Sequence, residues 1–410
     1  MPRFAYRLAA VLYLAICAVA QAAGPSLVST RCREVELPLD GRHSVALLAG
    51  CGEGYPDDLL WHLDRVDQID GQLDGLFDRR GGGVGSVVYV MDTGVLASHA
   101  EFGAPGTSRV IAGFDLGSSI AIGSSSCRSS DKALAPCIQN LEELAASSHG
   151  TAVASIIAGS NVGVAPAASL VSIRVMNERG LATTRTYLDG LDAIIRHAWS
   201  ADAPHFRTAI INISGWVVER LSSDDAPGKV VPFAVVERRI RDMIAGVDAG
   251  GRVDPDGKRF LFVVAANNLD GGCGLAGIVD RFPATLGSQI DGMITVGGIT
   301  LGNRWWTGGC RGDAVEVLAP AQSIFSATIT GTDHYRGRRP NHRSGTSFAS
   351  PIIAGIAARL LSDRPDLSPQ QLETWITNTP SRIVNPDRVY ADGKVGVVQS
   401  IETTSHATKR

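Results

Sequence analysis

The chain has 410 residues, a formal charge of −3, 19% charged and 6% aromatic residues, and 46 glycines. That length holds one large domain or two ordinary ones. The near-neutral balance offers no basic face for nucleic acid, and no charge run marks a disordered tail.

Residues 1–22 read as an export signal. Arg3 and Arg7 supply the positive start, residues 8–20 the apolar stretch, and Ala20-Gln21-Ala22 a small-x-small cleavage point. The stretch is too short to span a bilayer comfortably as an uncleaved anchor, and no later segment is apolar enough for a second span. Ile16 before Cys17 makes a poor lipoprotein box. The expectation is a secreted protein, extracellular or periplasmic, with no membrane attachment after cleavage. Residues 23–56 form a short leader carrying Cys32 and Cys51: a remnant, a covalent N-terminal extension, or a cleavable piece. Arg79-Arg80 ahead of three glycines reads as a surface linker rather than a processing point.

Further along, residues 86–91 are short, β-branched and bounded by glycines, the pattern of a buried strand, and they end on Asp92. Residues 115–147 are a Ser-rich surface insertion with Cys127 and Cys137. Residues 149–159 carry few polar groups on any face and predict a short buried helix with His149 at its mouth. A strand follows at 170–175, an amphipathic helix at 187–199, and a second insertion at 219–258 around a helix at 235–244. The strand at 260–266 runs into Asn267-Asn268. Another lies near 294–298. Small residues at 344–347 then deliver Ser347 to the first turn of an apolar helix, and 367–377 form the closing helix behind Ser368-Pro369. Strands alternating with helices predict an α/β fold, with a mostly parallel central sheet flanked by helices.

Removing Cys17 with the signal leaves Cys32, Cys51, Cys127, Cys137, Cys273 and Cys310. An even number in an exported chain favours disulfides, with fifteen pairings open. The simplest is sequential: Cys32–Cys51, Cys127–Cys137 and Cys273–Cys310. No Cys-x-x-Cys and no histidine pair at ligand spacing points to a metal site.

Asp92, His149 and Ser347 carry the chemistry. Each alone has an ordinary reading: turn former, core histidine, helix cap. Together they make a nucleophile set. Serine is a weak nucleophile until an imidazole takes its proton, and a carboxylate fixes that imidazole's tautomer and stabilises its charged form. Ser347 also lies in the positive field of a helix N-terminus. His99 lacks such a context and reads as structural.

The blocks Val90-Met91-Asp92-Thr93-Gly94, His149-Gly150-Thr151 and Gly345-Thr346-Ser347-Phe348-Ala349-Ser350-Pro351, in this order, resemble those of subtilisin-like serine proteases. The chain is most similar to the proteinase K branch of that group. Gly163-Val164-Ala165-Pro166, residues 170–175 and the block from Trp61 to Asp67 extend the likeness over roughly 57–400, leaving 401–410 as a tail. The resemblance implies a subtilisin-like three-layer fold and a peptidase domain at 57–400. It implies a serine endopeptidase acting through an acyl-enzyme on protein or peptide substrates, as a monomer and with no cofactor for the chemistry. Asn268 takes the place of the side-chain donor of the oxyanion hole.

Residues 214–216 match the extended edge that pairs with substrate backbone, so Ser214, Gly215 and Trp216, with Ala265, Ala266 and Asn267, become the candidate substrate-binding set. Asn267 replaces a glycine on the wall of the primary pocket, and its side chain either narrows that pocket or points away. Trp216 forms a pocket wall or covers the core. Phe348 stands where many relatives carry Met. Structural calcium is common among relatives, but one site loop is cut to residues 160–162 and Thr300 stands near where an Asp is usual, so no calcium ligand is assigned. The competing reading is a catalytically impaired relative that binds peptides, motivated by Asn267, Trp216 and the short leader.

Overall fold

The computed structural model describes residues 35–39, 43–47, 60–66, 73, 76–78, 82–103, 107–116, 148–177, 180–219, 230–248, 251–253, 257–270, 272–329, 335–336 and 343–378. The export signal, Cys32, Cys51, the Cys127–Cys137 insertion, Arg79-Arg80 and the tail lie outside these residues.

In chain order come β1 (Val35–Leu39), β2 (His43–Leu47), α1 (Trp61–Val66), β3 (Leu76–Asp78), β4 (Val87–Asp92) and β5 (Val110–Asp115). Then follow α2 (His149–Ala158), β6 (Ser169–Arg174), β7 (Ala182–Thr183), α3 (Thr184–Ala198), β8 (Thr208–Ile213), β9 (Val217–Val218) and α4 (Phe233–Ala245). The last are β10 (Arg259–Ala265), β11 (Met293–Ile299), β12 (Val317–Pro320), β13 (Ser326–Ala327), β14 (Tyr335–Arg336), α5 (Thr346–Asp363) and α6 (Pro369–Asn378).

Seven strands form the main sheet, in the order β12-β11-β10-β8-β4-β6-β5, and every pairing is parallel. β4 and β8 are buried along their whole length. A parallel sheet covered on both faces needs such continuous apolar strands. The alternation of side chains in β4 shows the two covers. Tyr89 donates to, or accepts from, His197 of α3 at 2.9 Å, and Met91 on the same face lies against Gly190 of α3. Asp92 points the other way, to His149 of α2. α2 and α5 pack together on that second face. At Gly355 of α5 an added Cβ would fall 3.4 Å from the Ile157 carbonyl of α2 and 2.6 Å from Val164, in the loop that follows α2.

Strand order fixes where a site can form. From β4 the chain moves to the edge at β5, returns to β6, then crosses to β8 on the far side of β4. The carboxyl ends of β4 and β8 therefore flank the point where the winding reverses, which is where open α/β sheets hold their ligands.

Several boundaries differ from the sequence expectation for local reasons. α3 begins at Thr184 rather than 187 because Thr183 and Thr186 form a reciprocal capping box. α4 ends at Gly246, which takes the left-handed conformation at φ 79°. α1 is buried at all six residues. Its Trp61 indole donates to the Gln322 carbonyl at 3.1 Å, and His62 Nε2 meets the Val162 carbonyl at 3.0 Å. Phe77 of β3 lies under the Arg359 guanidinium, 5.1 Å from its ring centre. Trp61, Leu63, Val66 and Phe77 are thus part of the core.

The short loop at 160–162 is held by protein groups. The buried Glu101 carboxylate accepts from the backbone of Asn161 at 3.0 Å and Val162 at 3.3 Å, and from Asn161 Nδ2 at 2.8 Å. Among the described residues no group of three His, Cys, Asp or Glu side chains is arranged to hold a metal ion. No described helix is long and apolar enough to cross a membrane.

Candidate active site

Asp92 closes β4 with its carboxylate fully buried, and both oxygens lie 2.9 Å from His149 Nδ1. The Thr93 amide also donates to Oδ1 at 2.7 Å. A carboxylate accepts only, so Nδ1 carries the proton and Nε2 keeps a lone pair. The imidazole is the exposed partner, with 27% of its side chain open to solvent. It combines a dry anchor with a reachable base.

The residues around His149 explain its motif. Gly150 passes so close to the aspartate turn that a Cβ would lie 2.4 Å from the Gly94 carbonyl and 3.1 Å from Asp92 Oδ1. Its amide donates to Thr93 Oγ1 at 3.0 Å, while Thr151 Oγ1 accepts from Leu96 at 2.9 Å. These bonds tie the mouth of α2 to the end of β4. His99 is buried and caps a short turn by accepting from the Glu101 amide, a structural role.

Ser347 is the second residue of α5 and half-buried. Its hydroxyl donates to the Ser214 carbonyl at 2.9 Å. Phe348, its neighbour, lies against the His149 ring with centroids 5.6 Å apart. The structure therefore joins Asp92 to His149 directly, and brings Ser347 to the end of β8 on the same rim.

A buried network under Ser347 was not legible beforehand. Pro351 lies inside α5 and has no N–H to give the carbonyl four residues back, that of Ser347. The Ser214 hydroxyl donates to that carbonyl instead, at 2.9 Å. The same oxygen lies 2.9 Å from Ser350 Oγ and accepts from Asn212 Nδ2 at 3.0 Å. One donor and two acceptor sites are all a hydroxyl has, so Ser214 is saturated.

Asn268 follows β10. Its Oδ1 accepts from the Thr346 amide at 3.0 Å and the Thr346 hydroxyl at 3.2 Å. That pairing turns Nδ2 toward Gly345, whose added Cβ would lie 3.4 Å from it. Asn267 takes φ 73°, a left-handed conformation that Asn adopts more readily than most L residues. The residue is only 3% exposed and its Cβ lies close to Gly272, so the side chain is turned into the protein. Its carbonyl accepts from Cys310 N at 2.9 Å, and Cys310 is bonded to Cys273. The third of the sequential cysteine pairs thus braces the loop that holds Asn268. Ala265 and Ala266 are fully buried; Trp216 and Gly215 are half-buried, with Gly215 close against Met176.

The sequence profile described as "Subtilase family" matches residues 83–399. The chain is 28% identical over 322 residues to the alkaline serine exoprotease A of Vibrio alginolyticus, covering 78% of this chain and 47% of that protein. It is 29% identical over 332 residues to the extracellular serine proteinase of Thermus sp. (strain Rt41A), covering 80% and 63%. These matches span about half to two thirds of the relatives' own length. The crystal structure of a cold adapted subtilisin-like serine proteinase superposes with a TM-score of 0.58 at 25% identity, over 83% of this chain and 98% of that one. The fold is subtilisin-like, and with the family profile matched over most of its length the chain belongs to the subtilase family.

Proposed function

We propose that this chain is an exported serine endopeptidase that cleaves protein or peptide substrates, as a monomer and without a cofactor in the chemistry. The observation that carries the reading is the double contact of His149 Nδ1 with the buried Asp92 carboxylate, on the rim that also holds Ser347. Ser347 Oγ turns from the Ser214 carbonyl to His149 Nε2. Catalytic hydrogen bonds are often unformed before substrate arrives.

As Oγ bonds to the scissile carbonyl carbon, its proton passes to Nε2 and the carbonyl π pair moves onto oxygen. Asn268 Nδ2 and the Ser347 amide stabilise that oxyanion. The imidazolium then gives its proton to the leaving nitrogen as the C–N bond breaks, and an ester to Ser347 remains. Water repeats the sequence, releasing the acid and restoring the hydroxyl. Asp92 keeps the imidazole in the required tautomer throughout.

The Ser347→Ala variant tests this. Its hydrolysis of casein and of a fluorogenic peptide should fall to background while circular dichroism and thermal unfolding stay unchanged. Undiminished hydrolysis by that variant removes Ser347 from the mechanism.

A further inference from the structure

Directly after Asn268 the chain turns an apolar surface to solvent. Leu269 is 52% exposed, Leu275 94% and Ile278 43%, and Leu275 is the most exposed large apolar side chain among the described residues. The three lie together. The end of the Leu269 side chain comes within 3.1 Å of a Cβ added at Gly277, the residue before Ile278 and two after Leu275. The Asp280 carboxylate, set against Gly274, gives the patch a polar rim. A single exposed leucine is ordinary, but a rimmed apolar patch marks a contact surface.

The loop that carries these side chains is braced. Gly274 N donates to the Ile278 carbonyl and Arg311 N to the Gly277 carbonyl, each at 2.9 Å. Arg311 Nε and Nη2 both donate to the Ala276 carbonyl, at 3.2 and 3.0 Å. The Cys273–Cys310 disulfide closes the base of the loop. Ala276 is held at φ 57° and ψ 20°, a left-handed conformation that alanine adopts only at a cost. The fold thus fixes Leu275 in water, on a strained turn, with no gain from packing it. A preformed apolar knob of this kind binds without further ordering.

Two observations decide what covers it. The first is area. Three side chains fall well short of the roughly 800 Å² per partner of a standard stable interface, so a second copy or a permanent partner gains little here. The second is continuity with the site. Leu269 N donates to the Gly308 carbonyl at 2.9 Å and Asn268 pairs with Gly309, so the patch begins one residue from the oxyanion donor. A polypeptide with its scissile carbonyl at Asn268 Nδ2 runs on at about 3.4 Å per residue, within reach of this loop.

We propose that Leu269, Leu275 and Ile278 form an accessory substrate-docking surface, which takes an apolar segment of a protein substrate outside the residues that flank the cut. The inference rests on the endopeptidase reading above.

The test compares casein with a fluorogenic tetrapeptide, which covers only the residues next to the cut, using the wild-type protein, Leu275→Ser and Leu275→Met. The Leu275 side chain stands almost wholly in water, so both variants should keep the wild-type Tm. Leu275→Ser should raise KM for casein about fivefold, well short of the effect of burying a whole leucine, with kcat and both peptide constants unchanged. Leu275→Met should stay within about twofold of the wild type. Equal KM for casein in the wild type and Leu275→Ser, or a matching rise for the peptide, overturns the assignment while the endopeptidase reading stands. A wild type that sediments as a dimer, with Leu275→Ser a monomer, would place a second copy on the patch and overturn it too. Faster hydrolysis of both substrates by Leu275→Ser would place a segment of this chain there, with the same consequence. No hydrolysis of either substrate by the wild type overturns both readings.

Discussion

Pro351 deprives the Ser347 carbonyl of its helical donor, and the Ser214 hydroxyl supplies one from the end of a neighbouring strand. This couples β8 to the first turn of α5 at the nucleophile. Ser214→Ala strands three polar groups at once: the Ser347 carbonyl, the Ser350 hydroxyl and Asn212 Nδ2. The expected loss of stability is about 1–3 kcal/mol, read by urea unfolding. Because the network sets the nucleophile rather than the substrate, kcat should fall with KM little changed. A variant with wild-type kcat and an unchanged urea midpoint would show the network to be idle. This pairing spans 133 residues of sequence, so no local pattern announces it; a serine directly after the strand and a proline four residues after the nucleophile are each unremarkable alone. Asp92, His149 and Ser347 were legible because each sits at the boundary of a strongly patterned element. Asn267 was half legible: the replaced glycine was visible, but the direction of its side chain follows from φ 73°.

Four strands of the main sheet, β4, β6, β10 and β11, and the helices α2 to α6 were recovered from period, bounding glycines and start signals, with shifts of a few residues at their ends; β5, β8, β12 and α1 were not. The start of α3 was missed because its capping box reads as two ordinary threonines. The loop after β10 was legible as the Asn268 position but not as a braced element. Its brace is the bond from Cys310 N to the Asn267 carbonyl together with the Cys273–Cys310 disulfide. Opening a bridge across 37 residues of sequence releases about 4 kcal/mol in the chain-entropy model. Cys273→Ala should therefore lower Tm and, by loosening the Asn268 loop, lower kcat. Reductant should move the wild type in the same direction and leave the variant's Tm where it is with respect to this bridge. A Cys273→Ala protein with the Tm and kcat of the wild type would show that the bridge braces nothing.

At the scale of the whole molecule, α1 is held by distant partners, and its histidine links stability to acidity. Burial pushes the His62 imidazole down from 6.5 to about 4, against the raising effect of the Val162 carbonyl. Between those values the unfolded chain binds a proton that the native state does not, so this contribution is complete above about pH 6.5 and lost as pH falls toward 4. The full swing is about 3 kcal/mol. Urea unfolding at pH 7.5 and 4.5 should show the wild type losing more stability on acidification than His62→Gln, by roughly 2–3 kcal/mol. Equal losses in the two proteins would mean that His62 does not stay neutral in the fold. The parallel sheet and its covering helices were readable from alternation alone. The docking of α1 was not, because its partners Val162 and Gln322 lie 100 and 261 positions away.

The account stands or falls on whether Asp92 and His149 activate Ser347. A fluorophosphonate reacts with an activated serine, so the folded protein treated with one and mapped by peptide mass spectrometry gives the most direct answer. The account predicts a single adduct on Ser347, absent from Ser347→Ala and greatly slowed in His149→Ala. No adduct on the folded wild-type protein, or one that persists in Ser347→Ala, would contradict it.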